Sequence, residues 1–118
     1  MNESRLNRIF KVTFASVYPL YVSKVERKGR SKDELDTVIR WLTGYDDAEL
    51  AHHVAAESTF THFFAEARVN PGDTKITGVV CGVRIEDLDD PLMKQIRWLD
   101  KLVDELAKGR PLEKVLRV

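Results

Sequence analysis

Ser31-Lys32-Asp33-Glu34-Leu35-Asp36-Thr37-Val38-Ile39-Arg40-Trp41-Leu42-Thr43-Gly44 carries the clearest structural instruction in the chain. Ser31 and Glu34 stand at the spacing of a capping box, in which each side chain satisfies the other residue's free amide. Leu35, Val38, Ile39 and Leu42 then recur at i, i+3, i+4 and i+7, which is one face of an α-helix. Gly44 stops that helix. A second signature follows at Asp46-Asp47-Ala48-Glu49, with Leu50 and Val54 as a short apolar face behind it. Ser58 or Thr59 opens another helix that turns Phe60, Phe63, Phe64 and Ala67 inward.

The same logic extends both ways. Upstream, Leu6, Ile9, Phe10, Phe14, Val17, Tyr21 and Val25 keep helical spacing, and Gly29 ends the run behind Lys24, Arg27 and Lys28. Pro19 fits only a first turn comfortably, so a break or restart near Ser16 is expected. Downstream, Asn70-Pro71-Gly72-Asp73 reads as a turn. Asp90-Pro91 is an N-cap with proline behind it. Leu92, Ile96, Leu99, Val103 and Leu106 carry a long amphipathic helix to Gly109, and Pro111 to Leu116 adds a last turn or two. Residues 74–85 are ambiguous between helix and short strand. Ile76, Val79, Val80 and Val83 match helical spacing, yet the run is rich in valine and holds Gly78 and Gly82. A lone strand would have no partner, which favours a short helix. The expected fold is all-α: a compact orthogonal bundle of five to six short helices.

Composition bounds what such a fold can be. The chain has 118 residues, 43% of them hydrophobic and 32% charged, which suits one globular domain over 1–118. A domain of that size buries roughly two-thirds of its unfolded surface, so it needs no staples. Cys81 is the single cysteine, which excludes an internal disulfide and fits a reducing compartment. No signal peptide or membrane span is read, and a cytoplasmic location is expected. Net charge is zero, but residues 1–30 hold seven basic and two acidic groups, a net +5, so the other residues carry −5. That basic quarter either neutralises the rest of its own domain, the better-supported reading, or faces an acidic partner or nucleic acid.

Several stretches carry a family resemblance. They are Phe14-Ala-Ser-Val-Tyr-Pro-Leu-Tyr-Val22, Glu26-Arg-Lys-Gly-Arg30, Trp41-Leu-Thr-Gly-Tyr45, Phe63-Phe-Ala-Glu-Ala67, Cys81-Gly-Val-Arg84, Asp90-Pro-Leu-Met93 and Leu99-Asp-Lys-Leu-Val-Asp-Glu-Leu-Ala-Lys-Gly109. Together they span nearly the whole chain, and it resembles the bacterial family called domain of unknown function 2200. The resemblance implies an all-helical fold and brings no activity and no catalytic residues.

Chemistry must therefore be read from the side chains. His52, His53 and His62 are the only histidines. Adjacent helical residues point about 100° apart, so His52 and His53 do not readily share a metal, and surface histidines are the simpler reading. No metal-ligand spacing and no cofactor motif appear. Cys81, between Val80 and Gly82, reads as a buried small hydrophobe rather than a nucleophile. Glu86, Asp87, Asp89 and Asp90 suit a helix N-terminus better than a cation site. Helices over 35–64 invite a helix-turn-helix reading, but Asp46, Asp47 and Glu49 would meet phosphate with the wrong charge. The candidate binding residues are Tyr18, Tyr21, Lys24, Arg27, Arg30, Trp41, Tyr45 and Arg84: amphipathic aromatics beside cations, as in a partner groove. The function expected is a non-enzymatic binding or protein-interaction module. The alternatives are a nucleic-acid-binding domain using the basic quarter, or a small enzyme with a site near Tyr45 and Arg84. An apolar strip on the helix over 91–108 would suit a homodimer.

Overall fold

The structure, a computed structural model, describes residues 12–69, 76, 78–80 and 82–116. The expectations for Leu6, Ile9 and Phe10, for the turn at 70–73 and for Cys81 fall outside them. Helix α1 spans Phe14–Glu26, α2 Lys32–Thr43, α3 Asp47–Ala55, α4 Phe60–Ala65, α5 Pro91–Ala107 and α6 Leu112–Val115. The fold is all-α, as the periodicities require.

The caps sit where the sequence places them. The Ser31 hydroxyl accepts from Glu34 N–H, and the Glu34 carboxylate accepts from Ser31 N–H. Asp46 and Glu49 repeat the arrangement for α3. Thr59 rather than Ser58 caps α4, accepting from His62 N–H. Asp90 caps α5, accepting from Met93 N–H at 2.9 Å. Each such cap contributes about 1 kcal/mol by satisfying an amide the helix cannot.

Helix α1 departs from expectation. It begins at Phe14, capped by Thr13, and runs through Pro19 without a break. The proline costs one backbone hydrogen bond, but its ring lies on the exposed face, while Phe14, Tyr21 and Val25 bury the opposite one.

Val79–Val80 and Val83–Arg84 are strands, not the helix favoured for this stretch. Val79–Val80 (β1) pairs antiparallel with Val83–Arg84 (β2), in the register Val79↔Arg84 and Val80↔Val83. The partner a strand needs is Val83–Arg84 of the same run, preceded by Gly82 at φ +76°. A one-turn 3₁₀ helix, Ile85–Asp87, then leads toward α5.

Helix α5 is the central post, packing against α1, α2, α4, the hairpin and α6. Leu99, Leu102, Val103 and Leu106 of α5 meet Leu35, Val38, Ile39 and Leu42 of α2 in the core, all without exposed surface. On the far side, the rings of Phe14 and Phe63 stack with centroids 4.2 Å apart. A backbone bridge joins Thr13 to Thr59, with Phe14 N–H donating to the Ser58 carbonyl at 2.8 Å and Phe60 N–H to the Val12 carbonyl at 2.9 Å.

Gly44 ends α2 at φ +75°, and a Cβ there would stand 2.8 Å from the Arg68 carbonyl oxygen. Gly29, at φ +81°, has open space where its Cβ would be. Both substitutions to alanine pay the left-handed backbone cost of about 1 kcal/mol, and only Gly44→Ala adds a backbone clash. Urea denaturation should show Gly44→Ala losing about 2–3 kcal/mol, roughly twice the loss in Gly29→Ala.

Candidate functional site

A groove of about 530 Å³ is bounded by α1, α2 and α3. One wall comes from α3: Leu50, Ala51, Val54 and Ala55, at i, i+1, i+4 and i+5, with short apolar side chains. The other comes from α2: Lys32, Asp33, Asp36 and Arg40, on one face of that helix. Tyr18 of α1 closes one end, one turn beyond the buried Phe14, whose ring lies 5.5 Å from its own. An apolar wall facing a charged one is the usual lining of a small-ligand site, and the volume is in the usual range.

The charged wall is already organised. Tyr18 donates its hydroxyl to Asp36 Oδ1. Lys32 Nζ lies 2.9 Å from Asp36 Oδ2 and 5.6 Å from the centre of the Tyr18 ring. The hydrogen bond to Asp36, then that to Tyr18, hold the Lys32 ammonium pKa above its ordinary value. Burial, then the hydrogen bond to Asp36, raises the Tyr18 phenol. Arg40 pairs with Asp47 across the groove and donates to Thr37 Oγ1 at 3.1 Å. Asp33 has no ion-pair partner among the described residues. Lys32, Asp36 and Arg40 are not among the residues the sequence singles out. Their spacing at i, i+4 and i+8 was the available signal, and it reads equally well as an ordinary solvated helix face.

A second cavity of about 290 Å³ is lined by Tyr45, Ala48, Glu49, His52, His53 and Glu66. His53 is 2% exposed, not at the surface as expected. Its Nδ1 is hydrogen-bonded to Ser58 Oγ at 2.7 Å, and its Nε2 lies 3.8 Å from Glu66 Oε2. Glu66 also pairs with His62 Nε2 at 2.6 Å. The three imidazoles cluster, with ring centroids 5.4 and 5.8 Å from that of His53. Among the described residues, however, no group of three possible ligands converges on a point that could hold a metal.

The eight sequence candidates do not gather in one place. Tyr18 lines the groove and Tyr45 the histidine cavity, where its hydroxyl donates to the Phe63 carbonyl. Burial, followed by the charges of Glu66 and Glu49, pushes the Tyr45 phenol up to about 12. Tyr21 donates to Asp100 Oδ1 at 2.6 Å in a third, smaller cavity of about 190 Å³. Lys24 pairs with Asp104 at 3.3 Å. Arg30 forks onto Glu34, holding that carboxyl below its usual range, and donates to the Arg110 carbonyl. Arg27 bonds the Ser23 carbonyl. Trp41 is half-buried against the core. Arg84, with 62% of its side chain exposed, sits on β2 facing Asp87 at 3.9 Å. Trp41 and Arg84 line none of these three cavities.

Burial lowers the His53 pKa from 6.5, opposed by Glu66 and reinforced by the charges of His52 and His62. The unfolded imidazole therefore takes up a proton at a pH where the folded one does not. The stability this contributes is fully present above pH 6.5 and is lost as pH falls below that value. An NMR titration should give His53 a midpoint below 6.5, and the melting temperature should fall between pH 7 and 5.5 less steeply in His53→Gln than in the parent.

Comparison with known proteins gives kinship without activity. Among the curated proteins none matches the chain. The crystal structure of the uncharacterized protein SP1917 superposes with a TM-score of 0.87 at 44% identity, covering 93% of this chain and 91% of that one. The model of a family described as an uncharacterized protein conserved in bacteria, DUF2200, matches residues 8–117. The chain belongs to that bacterial family.

Proposed function

We propose that this protein is a small cytoplasmic, non-enzymatic binding module whose ligand site is the groove between α1, α2 and α3. The observation that carries this reading is the composition of the groove. An apolar wall on α3 faces a wall on α2 whose carboxylate Asp36 is held by Tyr18 and whose Arg40 is paired with Asp47. Fixed polar groups lower the ordering cost of binding, and the apolar wall supplies the burial. Among the described residues no helix is long and apolar enough to cross a membrane, in keeping with that location.

The alternative readings draw less support. A nucleic-acid face would use Lys24, Arg27, Lys28 and Arg30, yet Lys24 and Arg30 spend their charges on Asp104 and Glu34. That pairing favours neutralisation within the domain, and an interface that binds phosphate needs cations left for it. An enzyme assembled from Tyr18, Tyr45 and Arg84 has those groups on separate surfaces.

The test is to fill the groove. Ala51 is exposed on α3, so Ala51→Trp should change stability by no more than about 0.5 kcal/mol while occupying the cavity. In a ligand screen followed by amide NMR, binders should shift residues 32–40 and 47–55 and lose affinity at least tenfold in Ala51→Trp. Binders that leave those amides unmoved would overturn the proposal. So would turnover in a hydrolase and transferase screen that survives Ala51→Trp.

A further inference from the structure

Lys32 stands in an unusual relation to the groove it lines. Its ammonium rests against two groups that together recognise cations: the face of Tyr18, 5.6 Å from ring centre to Nζ, and the carboxylate of Asp36, at 2.9 Å. An aromatic face attracts a cation through its quadrupole, and a carboxylate beside it supplies a hydrogen-bonded counter-charge. Both groups are held from elsewhere. Tyr18 is positioned by the Phe14 anchor and by its own hydrogen bond to Asp36, whose side chain is only 13% exposed. Lys32 itself is 55% exposed, on a flexible four-carbon stem at the first position of α2. The host pair is fixed and its cation is not, since the Lys32 end of this i, i+4 ion pair is solvated and can exchange.

The surroundings favour a cation over an anion. The groove holds three carboxylates, Asp33, Asp36 and Asp47, against two cations, Lys32 and Arg40. Arg40 is committed to Asp47, and Asp33 has no ion-pair partner among the described residues. Beyond the polar end lie Leu50, Ala51, Val54 and Ala55 on α3. Their spread over five helical steps, Leu50 to Ala55, covers about 7 Å, which suits a chain of roughly five or six methylene groups. The short alanine side chains leave room for such a stem.

We infer that the groove binds a primary alkylammonium ion, its charged end displacing Lys32 from Tyr18 and Asp36 and its stem lying along the apolar wall of α3. Lys32 is then an internal stand-in for the ligand, and it sets the affinity by competing for the same place. The inference rests on the groove being the binding site and adds the chemical class of what enters it.

The experiment titrates the intact protein at pH 7 with n-hexylamine, hexan-1-ol and hexanoate, following amides 32–40 and 47–55 by NMR. Hexylamine should produce saturable shifts and hexanoate should not. Lys32→Ala should tighten hexylamine about two- to fivefold, the size of one exchanged cation–π contact. Lys28→Ala removes the same charge from an exposed residue outside the groove lining and should not. Asp36→Asn should weaken binding about tenfold, and Tyr18→Leu should weaken it more than Tyr18→Phe, which keeps the ring. Equal tightening in Lys32→Ala and Lys28→Ala would overturn the inference. So would hexanoate binding as well as the amine. If hexanol and hexanoate shift the groove amides as strongly as hexylamine, the groove remains a binding site and only its amine preference fails.

Discussion

The start of α1 is clamped to the start of α4, and much of the site follows from that clamp. Thr13 bridges Thr59, Phe14 N–H reaches the Ser58 carbonyl, and the Phe14 ring stacks on Phe63. These contacts join segments more than forty positions apart, so they fix where α1 begins and how it is turned about its axis. One turn further along, Tyr18 is delivered to the gap between α2 and α3. Two turns along, Tyr21 reaches Asp100 of α5. A helix whose first residue is buried and stacked has little freedom to rotate, because close-packed interiors resist small displacements.

Among the described residues, two cations of the basic first quarter are paired within the domain. Lys24 meets Asp104 on α5, and Arg30 ties Glu34 to the carbonyl of Arg110. These contacts draw the end of α1 and the start of α2 toward α5 and its C-terminal turn. These part-buried pairs neutralise two of the cations that a polyanion would need. The groove follows the same habit with a different result. Its pairs are arranged around an open volume rather than across a closed seam between helices.

The histidine cavity shows how burial changes a residue's meaning. In sequence His53 is one of two adjacent imidazoles on a short helix. In the fold it sits against Tyr45 and Phe63, bonded to Ser58. An imidazole enclosed by aromatic rings is costly to charge, and the Glu66 carboxylate, shared with His62, relieves that cost only in part.

Local signals that need only a few neighbouring residues were written in the sequence. The capping boxes at Ser31 and Asp46, the cap at Asp90 and the faces of α2 and α5 depend on contacts three or four residues apart, and they were legible for that reason. Three features were not. Pro19 continues a helix because its ring faces solvent, which depends on where the rest of the core lies. Val79–Val80 pairs with Val83–Arg84, where helical spacing and valine content left two local conformations open, and Val80 and Ile85 are buried in the core. The groove joins Tyr18 to Asp36 and Val54, and no spacing rule relates three separate helices. Short-range hydrogen bonds and helical periodicity settled the capped helices. Which side chains share a cavity was left to the packing of those elements, because contacts across helices leave no periodic mark along the chain.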